Sequence, residues 1–98
     1  MRYENERLGV SFEVADRFSV REQLAFRAAV VDAKGQTNYE RYWHAAQTVM
    51  TEWTSELVPE PEALDLDAAE DSRIADVVQW TANTVAGHMI MLESPPKK

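Results

Sequence analysis

Two histidines, one run of carboxylates and one row of aromatics are the residues of this 98-residue chain whose types could do chemistry. His44 follows Glu40 by one helical turn, on the polar side of its local pattern, and reads as a solvated surface residue. His88 falls on an apolar stripe and reads as a hydrogen-bonded core residue. General acid–base work needs a second positioned group, and spacing sets no serine or carboxylate beside His88. Asp65, Asp67, Glu70 and Asp71 crowd together as the ligands of a cation loop do. An EF-hand loop, however, needs a glycine at its sixth position and a distal bidentate glutamate, and neither is present. The run reads as a solvated, charged loop. The glycines are Gly9, Gly35 and Gly87, too scattered for a phosphate-cradling loop. The chain has no cysteine, which excludes thiolate metal sites, disulfide staples and cysteine nucleophiles. No enzyme, no metal and no cofactor is expected.

The aromatic row is Tyr39, Tyr42, Trp43 and Trp53. Fully burying a large apolar side chain is worth about 1.5–3 kcal/mol, so as core these four would supply much of a small domain's stability. Left open along one edge, the same row would make a groove for a partner helix, a use that suits aromatics and methionines. Both readings stand at this level.

Ninety-eight residues suffice for one domain spanning 1–98 and not for two cores. Hydrophobic residues make up 45% of the chain, enough to place it among globular rather than disordered sequences. The net charge of −7 is concentrated: positions 56–71 hold seven acids and no Lys or Arg, and the remainder holds ten acids and ten bases. A broad basic face for nucleic acid is therefore disfavoured. No stretch approaches the roughly 18 apolar residues of a membrane span, and the first residues lack a signal peptide's apolar run. The expected location is the cytoplasm.

Along the chain, Leu8, Val10, Phe12 and Val14 alternate with Gly9, Ser11 and Glu13, the period of a half-buried strand over 8–14. A strand needs hydrogen-bonding partners. Another copy of the chain, the segment around 2–6, or a partner protein could supply them, or the stretch could pack as an extended arm. Ser19 and Glu22 then form a capping box for a helix over about 20–33, with Phe18 placed as a staple and Gly35 as its terminator. Apolar on more than one side, this helix reads as the central one. Thr37 and Glu40 cap a second helix expected over 38–57, with Tyr39, Tyr42, Trp43, Ala46, Met50, Trp53 and Leu57 on one face. Pro59 and Pro61 end it and open an acidic loop over 58–71. A third helix over 72–93 starts at Asp71 or Ser72. The expected fold is mainly α: a three-helix small domain with one N-terminal β-strand or extended arm.

The third helix carries Ile74, Val77, Val78, Thr81, Val85, His88, Met89 and Leu92 on one face, with Trp80, Thr84, Gly87 and Met91 beside it. Its end, AGHMIML, is apolar in almost every direction, and such an end must be covered by something. Trp80, Met89, Met91 and Leu92 are the expected holding surface for another polypeptide. Val10 and Phe12 are a second set, through strand addition.

Two blocks, FEVADRFSVREQLAF from Phe12 and RIADVVQWTANTVAGHMIMLESPPKK from Arg73, together resemble the tail assembly chaperones of long-tailed phages of actinobacterial hosts. The second carries Trp80, Asn83 and Val85 as a Trp-x-x-Asn-x-Val core. The resemblance implies a small acidic protein of the host-cell cytoplasm. It would bind and solubilise the hydrophobic, helical tape-measure protein during tail assembly. It also implies a longer frameshifted form of the chain as a partner, the Pro95–Lys98 codons supplying the slip. Self-association through apolar area would fit this reading. The alternative is a small acidic inhibitor or immunity-type protein that sets its acidic loop on a partner's basic site. A structural subunit of a virion is a third.

Overall fold

A computed structural model describes residues 1–32 and 37–93, and for Leu92 and Glu93 the backbone alone. The elements run β1 (Arg2–Asn5), β2 (Val10–Val14), α1 (Val20–Asp32), α2 (Asn38–Ala46), β3 (Met50–Ser55) and α3 (Ser72–Glu93). A 3₁₀ turn, Pro61–Ala63, lies between β3 and α3. The expectation of a mainly α domain is corrected: the three helices come with a three-stranded antiparallel sheet, 52% helix against 17% strand, so the fold is mixed.

The sheet order is β1-β2-β3. The expected strand therefore exists as β2, and it sits in the middle with a partner on each side. Of the partners open to it, the N-terminal segment is one: Arg2 pairs with Glu13 and Asn5 with Val10. The hairpin turns through 6–9, where the Leu8 amide donates to Asn5 Oδ1 at 3.1 Å and Gly9 takes a φ of 66°. That left-handed value favours glycine. Val10, Phe12 and Val14 point into the core while Ser11 and Glu13 stay on the half-exposed outer face.

The other partner is β3, and it overturns the second expectation. The helix predicted over 38–57 stops at Ala46. Gln47 Nε2 donates to the Trp43 carbonyl and Thr48 Oγ1 to the Ala45 carbonyl, which satisfies acceptors that a helix end leaves open. The chain then enters β3. Its apolar spacing suits a helix, but Thr48, Val49, Thr51 and Thr54 are β-branched and prefer a pleated surface. The unpaired edge of β2 decides the matter. Between the pairs Ser11–Thr54 and Glu13–Thr51, Phe12 faces two residues, Glu52 and Trp53. This is a bulge, and Glu52 takes its left-handed position at φ 56°. The extra residue turns Trp53 inward, where it stacks on Phe12 at 6.0 Å between ring centres and meets Trp43 edge-on at 5.8 Å.

The first helix differs from expectation as well. It packs along α2 and buries Phe26 alone, so it is a flank and not the centre. Its start is as read: the Glu22 amide donates to Ser19 Oγ at 3.1 Å and the Ser19 amide to Glu22 Oε1 at 3.0 Å. Gly35, expected to end it, lies outside the described residues, as does the tail 94–98. Thr37 caps α2 through the Glu40 amide at 3.2 Å. Asp71 caps α3, accepting from the Arg73 amide at 2.9 Å and pairing with its guanidinium at 2.8 Å.

The core is formed where α2 and α3 cover the inner face of the sheet, in two adjoining clusters. One holds Phe12, Val14, Phe26, Ala45, Ala46, Val85 and Met89. The other holds Leu8, Val10, Trp43, Val58, Val77 and Val78. Trp53 and Trp80 pack against both.

Candidate functional site

The polar groups inside the fold are accounted for as structure. His88 is buried on α3, with Nε2 2.8 Å from the Ala15 carbonyl and Nδ1 2.6 Å from the Tyr3 hydroxyl. A carbonyl can only accept, so Nε2 bears the hydrogen and Nδ1 accepts from Tyr3. Both ring nitrogens are satisfied within the fold. Burial, then the charge of Asp16, raises the Tyr3 phenol above its ordinary range. Two buried atoms lack a partner among the described residues, Trp43 Nε1 and Thr81 Oγ1, and both belong to the packed α2–α3 layer. No group of three His, Asp or Glu side chains that could hold a metal exists among the described residues. His44 is exposed on α2, away from the core face of Trp43.

The residues expected to meet a partner divide sharply. Val10 and Phe12 are 3% and 0% exposed, and their strand is hydrogen-bonded on both sides, so strand addition at β2 has no edge to use. That expectation is corrected. Met89 is 3% exposed and belongs to the core, since it follows Val85 by one turn on the same helix face. Trp80 is half-buried, its ring edge-on to Phe12 at 5.5 Å. Met91, by contrast, is 75% exposed. The Leu92 side chain lies outside the described residues.

The aromatic row answers both of its readings. Trp43 is fully buried and Trp53 half-buried, which makes that end core. Tyr39 and Tyr42 instead line a trough between the helices. One depression of about 480 Å³ is bounded by Tyr39, Tyr42, Ala82, Asn83, Ala86 and Ile90. A second of about 300 Å³ continues it past Tyr42, Ala86 and Ile90 to Phe26, Val30 and Val31. The shared residues make the two one channel, apolar for most of its length. Two of its lining residues stand out in water, Val31 at 71% and Ile90 at 53% exposed, and Leu24, two turns before Val31 on α1, is 54% exposed. Large aliphatic side chains held out in water at neighbouring positions mark a contact surface more often than scattered single ones do.

Val31 and Leu24 were missed because α1 reads as a central helix. Its apolar positions cover two faces, and a helix of that kind is assigned to the core. The available signal was Ile90, part of the apolar end of α3 but off its main stripe.

The connection from β3 to α3 is ordered. Leu64 and Leu66 pack on the core and Pro61 is buried. The Val58 amide donates to Ser55 Oγ at 3.0 Å, and Trp53 Nε1 donates to the Val58 carbonyl at 2.7 Å. Among the described residues no helix is long and apolar enough to cross a membrane. Comparison of the chain with protein-family models, with curated proteins and with solved structures finds no match.

Proposed function

We propose that this chain is a tail assembly chaperone, which binds the hydrophobic helical tape-measure protein of a long-tailed phage and keeps it soluble until the tube forms. The observation that carries the reading is the apolar trough between α1, α2 and the last turns of α3, with Val31 and Ile90 of its lining held out in water. A holdase for apolar helices needs such a surface, and it needs charge to keep the complex in solution. The net charge of −7, gathered at the opposite end of α3, meets the second need. A trough that follows α3 from Ala82 to Ile90 spans about 12 Å, or two turns of a client helix. The longer frameshifted form would present the same trough.

The test is co-purification with a tape-measure fragment in low and high salt. Wild type is expected to hold the fragment in both, since apolar area drives the contact. Val31→Asp and Ile90→Asp each leave the core intact and are expected to weaken capture. Equal capture by both would remove the surface, and no capture by wild type would remove the reading.

A further inference from the structure

We propose that the groove in the acidic connection between β3 and α3 is a docking site for a partner segment that carries one aliphatic side chain flanked by Lys or Arg. The groove has a volume of about 560 Å³, the largest of the depressions described. Its walls are Leu57, Val58, Ala63, Leu64 and Ala68, and Glu60 and Asp65 stand at its rim. An aliphatic side chain is the chemistry that such walls accept.

Charge selects the rest of the occupant. Positions 56–71 hold seven acids and no base. Asp71 is taken up by Arg73, and none of Glu56, Glu60, Glu62, Asp65, Asp67 and Glu70 makes an ion pair among the described residues. A nucleic acid or an acidic segment would be repelled, while cationic flanks would be steered in and held.

The groove is also preformed. Val58 is fixed by hydrogen bonds at both its amide and its carbonyl. The 3₁₀ turn closes through the Leu64 amide on the Pro61 carbonyl at 3.3 Å, and Asp65 Oδ1 accepts from the Asp67 amide at 3.0 Å. A segment that met this surface would not have to order it first, so little of the contact is spent on loop entropy. The site is independent of the chaperone reading. It precedes the start of α3, along which about 27 Å of helix separates Ser72 from Ile90 in the trough.

The test uses the full chain and three labelled twelve-residue peptides, followed by fluorescence anisotropy. One carries a leucine between lysines, one has serine in place of that leucine, and one has glutamates in place of the lysines. The Lys–Leu peptide is expected to bind, about tenfold more weakly in high salt than in low. The serine peptide is expected to bind at least about tenfold more weakly than it, and the glutamate peptide not at all. Ala68→Gln fills the groove without changing charge, and Glu60→Gln with Glu62→Gln removes one rim charge and a second one close to it in sequence. Each is expected to weaken the Lys–Leu peptide about tenfold, whereas Met91→Asp leaves it unchanged. Ala63→Gln replaces Ala68→Gln if circular dichroism shows that the latter does not fold. Equal binding of the serine peptide, wild-type affinity in the filled groove, or no binding of the Lys–Leu peptide would each overturn the proposal.

Discussion

The Tyr3 hydroxyl donates to Nδ1 of His88 at 2.6 Å, joining the first strand to the last helix across 85 positions of sequence. The imidazole is held on its other side by the Ala15 carbonyl, so one side chain ties together β1, the exit of β2 and α3. Tyr3→Phe leaves Nδ1 buried without its donor and is expected to lower stability by about 1 kcal/mol. The phenol's pKa is raised above 10.0, by burial first and by Asp16 second. The folded chain therefore holds this proton more tightly than the unfolded one. Its contribution is complete below pH 10 and fades as pH rises through the folded value. Urea midpoints of wild type and Tyr3→Phe are expected to differ at about pH 8 and to draw together as pH rises above 10; a gap that widens would contradict the assignment.

Thr81 is fully buried and its hydroxyl meets no partner among the described residues. Thr81→Val keeps the shape and removes the unpaired group, so it is expected to raise unfolding free energy by about 1 kcal/mol. Thr81→Ala, which leaves a void, is expected to lower it. Denaturant melts of the two variants read the difference in sign.

Glu52 holds the left-handed position of the β3 bulge at φ 56°. Glu52→Gly removes the cost of a Cβ there and is expected to hold stability or raise it by up to about 1 kcal/mol. Glu52→Val is expected to lower it by about 1–2 kcal/mol, since a branched side chain resists that conformation. A larger loss with glycine than with valine would show that the bulge is not formed as described.

The Glu22 carboxyl accepts from the Ser19 backbone amide and, with its own amide, engages the Ser19 hydroxyl. These contacts hold its pKa below the ordinary 4.5. A depressed carboxylate contributes to folding above its unfolded value and loses that contribution as pH falls through the folded one. NMR titration of Ser19→Ala, which keeps the backbone amide and loses the hydroxyl, is expected to move Glu22 part of the way back toward 4.5, and an unmoved Glu22 would remove the hydroxyl's share of the shift.

Phe12 and Met91 test the division between core and surface. Phe12 is 0% exposed and is ringed by Tyr3, Trp53 and Trp80. Phe12→Ala is expected to cost about 3–5 kcal/mol, a large share of a small domain's total. Met91→Asp is expected to change stability by less than about 0.5 kcal/mol. Thermal melts that rank the two the other way would invert the map of the core.

What was legible in the sequence is what local chemistry decides. The Ser19 cap, the start of α3 at Asp71 or Ser72, the β2 alternation and the place of His88 on an apolar stripe all follow from residues within a turn or a pleat of one another, whereas the partners of His88 lie 85 and 73 positions away. The long second helix did not hold, because Met50, Trp53 and Leu57 keep a helical rhythm whether or not a helix forms. Only the demand of β2 for a second partner, a tertiary fact, turns that stretch into a strand. The peripheral place of α1 was hidden for the same reason. Two apolar faces on one helix say that both need cover, and they do not say that one is left without it. Of the expected contact surface, Met91 is the residue that stands exposed among the described side chains, and the periodicity, which sets it in one row with Trp80, does not single it out. Val10, Phe12 and Met89 look equally apolar on paper but lie under other elements.

The middle position of β2 also fixes when the molecule can close. Its first neighbour, β1, precedes it, and its second is made only with Ser55. The indole over Phe12 and the imidazole that locks Tyr3 arrive later still, with Trp80 and His88. A ribosome that stalls within the α3 codons therefore holds a sheet whose inner face still lacks its last helix for the length of the pause. Synonymous codons that slow that region are expected to send more nascent chain into aggregates, with the finished protein unaltered.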